Sequence, residues 1–236
     1  MITFLIVTVF PVVFLLLYLI KQDKEKPEPK AKLAVCFALG MLGGVIGGII
    51  QDVFAWLGIG NGYDSMFFGD IVCNAVVAAI FVSIVYFILW KYSQKNTDFD
   101  EFLDGPVYAV CISFGYQVMC DLFNMSTDEW LHVSLLTIMT MVAIYATALV
   151  IGYFYSMAHF GEMPLTSSNK FKMWAIPCAM GWGYNCICVW TNQSFFGLTI
   201  AIVVFAIMGY YINKKNKAII AILKEKDSKL AQDGLR

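Results

Sequence analysis

The chain has 236 residues, of which 60% are hydrophobic and only 14% charged, with a formal net charge of −1. An average soluble domain carries roughly 25% charged residues, so a water-soluble globular class is excluded, as is a disordered one. Near-neutral charge also removes the electrostatic case for a nucleic-acid partner, which would need a basic surface to displace counterions.

A membrane helix needs ~20 mostly apolar residues to cross ~30 Å of hydrocarbon. Seven stretches qualify, at about 2–20, 33–59, 66–90, 106–125, 131–158, 174–192 and 195–212. The expected fold is therefore all-α and polytopic. A single transmembrane domain covers 1–212, and a basic tail covers 213–236. The first stretch lacks a basic leader and a small-x-small cleavage site, so it reads as a retained span rather than a signal peptide.

Basic residues fix the expected direction. Lys21, Lys24, Lys26, Lys30 and Lys32 follow span one, Lys91 and Lys95 follow span three, and Lys170 and Lys172 follow span five. The remaining seven lie in the tail, which accounts for all 16 in the chain and leaves the alternate loops with none. Positive charge is retained on the cytoplasmic side, so the N-terminus is expected outside and the C-terminus inside, with the cell membrane as the expected location. Trp56, Trp90, Trp130, Trp174 and Trp190 fall at span ends, where an indole is at home.

Span two carries Gly40, Gly43, Gly44, Gly47 and Gly48, spacings that let a second helix backbone approach closely, either within the chain or across a homodimer. The tail from Asn213 mixes Ala218, Ile219, Ile220, Ile222 and Leu223 with lysines, a pattern suited to a short helix lying on anionic lipid. The seven cysteines sit almost wholly in apolar runs and read as reduced, embedded thiols.

A polar side chain inside a bilayer is costly and so marks a site or a helix-joining network. Gln51 and Asp52 in span two, Asp70, Cys73 and Asn74 in span three, and Asn185 in span six all fall toward the outer side. In span four, Ser113, Gln117, Asp121 and Asn124 share one helical face, with Cys120 beside it. These residues predict an outward-facing polar cavity lined by spans two, three, four and six. A hydrogen-bonded network that merely joins helices is the alternative.

From Asp98 to Asn124 the chain reads DFDEFLDGPVYAVCISFGYQVMCDLFN. This resembles the PrsW family of membrane-embedded, CAAX-protease-like peptidases, whose signature is F-D-E-x-x-D-G, then V-Y-G, then G-F-A-x-x-E-N-x-x-Y. Phe99, Asp100, Glu101, Asp104, Gly105, Val107, Tyr108 and Gly115 match. Further on, Gly152-Tyr153-Phe154-Tyr155 resembles the family's G-Y-Y-L-G, and Phe160 follows in register. Ile176-Pro177 and Gly183-Tyr184-Asn185 resemble its V-P-x-x-x-H-G-x-Y-D, so the likeness covers about 66–217.

The resemblance implies a protease fold without the protease chemistry. The family's paired glutamates fall on Cys73 and Asn74, and the glutamate and asparagine of its second motif on Cys120 and Asp121. Its third-motif histidine falls on Ile144, the preceding arginine on Leu136, and H-G-x-Y-D becomes Gly181, Trp182, Gly183, Tyr184 and Asn185. The chain's two histidines, His132 and His159, lie at opposite ends of span five and cannot share a metal.

The expected function is a non-catalytic homologue that binds a membrane peptide, a transmembrane helix or lipid in the cavity, with no cofactor. Two alternatives stand beside it. One is an active peptidase with a rebuilt centre using Asp121, Asp70 or Cys120, with zinc or copper(I) on Cys73, Cys120 and Asp121 as its metal variant. The other is a small-solute transporter or channel. No Gly-x-Ser-x-Gly elbow, His-Glu-x-x-His pair or Walker loop occurs.

Overall fold

A computed structural model describes residues 9–20, 28–57, 66–94, 99–124, 130–191 and 195–232. These form seven helices: α1 (Phe10–Ile20), α2 (Lys30–Trp56), α3 (Met66–Ser93), α4 (Asp104–Asn124), α5 (Trp130–His159), α6 (Ser167–Thr191) and α7 (Phe195–Gln232). No strand occurs among the described residues. Among the described residues, four segments, Lys30–Phe54, Val72–Ser93, Asp104–Phe123 and Met139–His159, are long and apolar enough to cross a bilayer.

α4 is the central element, buried at every position from Asp104 to Tyr116. It packs on α2 and α5, while α3 packs on α6. Lipid tails are as apolar as the side chains they would replace, so close backbone approach rather than hydrophobic burial must join these helices. Glycine supplies that approach on both flanks of α4. A Cβ on Gly40 would run into the carbonyl of Ile112, and one on Gly115 into that of Phe37. Gly44 lies against the Tyr116 carbonyl, and Gly47 against the Tyr116 ring.

The span-two glycines are thus used within the chain, except Gly48, which faces open space. On the other flank of α4, Gly105 meets Ser156, and Gly152 meets the backbone of Pro106. Pro106 stands in the first turn of α4, where its missing N–H removes a donor that no helical carbonyl could reach.

Carboxyl side chains are buried at the Asp104 end. The Asp104 carboxylate accepts from the N–H groups of Asp100 at 2.9 Å and Glu101 at 2.7 Å, which folds the preceding loop onto the helix. The Tyr108 hydroxyl donates to Glu28, just before α2. The Phe102 N–H donates to Asp227 of α7 at 2.6 Å. Around Phe99 the rings of Tyr108, Tyr155, His159 and Phe160 pack edge-on or stacked.

Two helices extend beyond their expected ends. α6 begins at Ser167 rather than 174 because Thr166 caps it: its hydroxyl accepts the Asn169 N–H at 3.3 Å and its carbonyl the Lys170 N–H at 2.9 Å. α7 continues unbroken through the tail, whose alanine, isoleucine, leucine, lysine and glutamate favour helix. One face of this extension, Asn216, Ile220, Leu223 and Asp227, is buried against the bundle. One face of the tail helix therefore docks on the bundle, and the opposite face, with Ile222, is exposed.

Pro177 sits inside α6. It cannot donate to the carbonyl four residues earlier, Met173, and the Tyr86 hydroxyl of α3 donates there instead at 2.8 Å.

Candidate functional site

Between α3, α4, α5 and α6 lies a cavity of about 80 Å³. By the same measure one water needs ~10–15 Å³, so the space takes a few waters or a single side chain. α3 contributes Val77, Ala78 and Phe81, and α4 contributes Tyr116 and Gln117. α5 contributes Thr140, Ala143, Ile144 and Thr147, and α6 contributes Gly181, Tyr184 and Asn185. The three α5 positions Thr140, Ile144 and Thr147 recur at i, i+4 and i+7, one helical face.

The wall is mostly apolar and the described lining residues carry no charge. Its polar groups are hydroxyls and amides. The Thr140 and Tyr184 hydroxyls bond each other at 2.6 Å, and the Thr147 hydroxyl donates back to the Ala143 carbonyl at 2.9 Å. The Gln117 amide N–H donates to Asp121 at 2.7 Å, away from the lining. That bond fixes which way the amide faces.

Of the residues expected from sequence, the cavity brings together Gln117 and Asn185. Cys73, Asn74, Cys120 and Asp121 are half-buried on α3 and α4 but are not among its lining residues. Asp52 is exposed, and α2 does not line the space. The physical reason is the glycine seam. It turns the small face of α2 onto α4, so the Gln51 amide meets the Tyr116 hydroxyl from behind, at 3.4 Å, and Asp52 points outward.

Ser113, expected beside Gln117, is fully buried one turn away, and its hydroxyl has no hydrogen-bond partner. The side chains of Asp70, Asn124, Leu136 and His132 lie outside the described residues. Among the described residues no three His, Cys, Asp or Glu side chains converge as a metal-binding group, so Cys73, Cys120 and Asp121 do not form one.

The fifth helix was not expected at the cavity. Thr140, Thr147 and Tyr184 carry little signal singly, because threonine and tyrosine are common in apolar spans. The i, i+4, i+7 pattern of Thr140, Ile144 and Thr147 was the available clue.

Comparison of the chain with protein-family models, with curated proteins and with solved structures finds no match.

Proposed function

We propose that the chain is a seven-span membrane protein, N-terminus outside and C-terminus cytoplasmic, in the cell membrane. In this reading it is a PrsW-like homologue that has lost catalysis and keeps a cavity for binding. The observation that carries this reading is where the substituted positions fall. Ile144 and Gly181 stand where the resemblance places histidines, and Asn185 where it places an aspartate; all three line one cavity.

Among the described residues that line this space there is no base, carboxylate or metal set, which supports a site that binds without activating water. Retaining shape while losing reacting groups is physically easy, since binding and transition-state stabilisation draw on separable interactions. The volume suits one side chain or peptide group of a membrane partner, held by amides and hydroxyls, rather than a whole helix.

The test uses the full chain in lipid nanodiscs with a panel of labelled single-span peptides. The expected result is binding of a subset without cleavage, and loss of that binding in Ile144→Trp, which fills the cavity. Cleavage of any peptide that disappears in Asp121→Ala would overturn the reading in favour of a rebuilt peptidase. Failure of Ile144→Trp to affect binding would remove the cavity from the account.

A further inference from the structure

The outward face of α2 is apolar, with Leu42, Ile46, Ile49 and Val53 all exposed. The surface between α3 and α6 differs. Ser83, Phe87 and Trp90 of α3 are exposed and recur at i, i+4 and i+7, forming one face. Trp174 of α6, itself exposed, lies against that face and donates its indole N–H to the Ser83 hydroxyl at 3.0 Å. With the neighbouring bond from Tyr86 to the Met173 carbonyl and the approach of Gly181 to Ala78, this contact fixes the register and shows that the two helices run antiparallel.

Two lysines follow from that register. Lys170 precedes Trp174 by one turn on the same face, which sets it toward the level of Phe87 and Trp90. Lys91 places its ammonium 4.4 Å from the centroid of the Trp90 ring. Both lysines are exposed, and neither the last three turns of α3 nor the first three turns of α6 contain an acidic residue. The groove thus has aromatic walls and a doubly cationic mouth at the ends of two apolar helices.

We propose that this groove is a site for one anionic phospholipid, its phosphate between Lys91 and Lys170 and its acyl chains along Phe87, Trp90 and Trp174. Aromatic faces suit acyl chains and the glycerol region, while paired ammonium groups favour a headgroup with no cation of its own over phosphatidylcholine. The inference rests on the chain being embedded in a membrane and not on the cavity or on the loss of catalysis.

The experiment reconstitutes the full chain in phosphatidylcholine vesicles containing either brominated phosphatidylglycerol or an equal fraction of brominated phosphatidylcholine, and reads quenching of tryptophan fluorescence. The expected result is stronger quenching by the anionic lipid, corresponding to a preference of roughly tenfold or more for two lysines. The excess should disappear in Lys91→Gln/Lys170→Gln and in Trp90→Phe/Trp174→Phe, and persist in Lys214→Gln/Lys215→Gln. Equal quenching by the two lipids, or an excess that survives the Lys91/Lys170 change, overturns the proposal. An excess lost only in the Lys214/Lys215 variant also overturns it, because the tail would then be attracting lipid without this groove.

Discussion

At its Asp104 end α4 is surrounded by buried carboxylates, and named donors meet Glu28, Asp104 and Asp227. Roughly 20 Å further along the same helix, Gln117 faces a void whose described lining is neutral. The contrast separates two uses of polarity in an apolar bundle. Bonded carboxyl groups at the Asp104 end fix loops and the tail against the helices. Neutral polarity around empty space costs little to keep where a hydroxyl finds a partner, as Thr140 does on Tyr184 and Thr147 on the Ala143 carbonyl, and it leaves room for something else. Sequence alone sees only polar residues in both places.

Substitutions in the two regions should differ in what they cost. The largest effect should come from the seam that supports both regions. In Gly115→Leu the new side chain has nowhere to go but the backbone of Phe37, and overpacking of this kind costs ~3 kcal/mol or more. Thermal or SDS unfolding of the purified protein should register it as loss of the folded form, whereas Gly48→Leu, in open space, should be tolerated.

Next are the bonds at the Asp104 end. Asp227→Ala leaves the buried Phe102 N–H without its acceptor and should cost about 1–3 kcal/mol. Asp104→Ala should cost a similar amount, with Asp104→Asn recovering part of it because the amide oxygen still accepts. Protection of residues 99–104 from hydrogen exchange should fall in both alanine variants; unchanged protection would mean that the carboxylates do not hold the loop.

The cavity should behave in the opposite way. Thr140→Val breaks the bond to Tyr184, and such interhelical bonds in membranes average ~0.6 kcal/mol, so unfolding should shift little while peptide binding changes. If Thr140→Val instead destabilised as much as Asp227→Ala, the cavity would be structural glue and the contrast would collapse. Smallest of all is the exposed Lys229–Glu225 pair, at 2.7 Å in the tail. Lys229 holds the Glu225 carboxyl below its usual range. The pairing is therefore complete above the ordinary glutamate value and fades as pH falls through the lowered one. Lys229→Ala should leave unfolding unchanged at neutral pH, as expected of a screened surface pair.

Much of this architecture can be read from the residues. The apolar runs locate the helices to within a few positions where polar or glycine-bearing segments bound them, and the glycine spacing in α2 announces a close crossing. What the sequence withholds is depth along the helix. Asp121 and Gln117 are one turn apart on the same face, yet only Gln117 lines the void, because the neighbouring helices enclose the space at the level of Gln117 and not one turn further along. Helix ends are also lost where a cap overrides hydropathy: Thr166 starts α6 among polar residues that no apolar window includes.

Tyr86 and Pro177, ninety-one positions apart, form a single unit in which a hydroxyl on α3 replaces the amide hydrogen that α6 lacks. Each residue makes sense only in the presence of the other. Tyr86→Phe alone strands the Met173 carbonyl, but in a Pro177→Ala background the restored amide can occupy that acceptor and the hydroxyl becomes dispensable. A double-mutant cycle should therefore show strong non-additivity. Among chains of similar sequence, a phenylalanine at the first position should keep company with the loss of proline at the second.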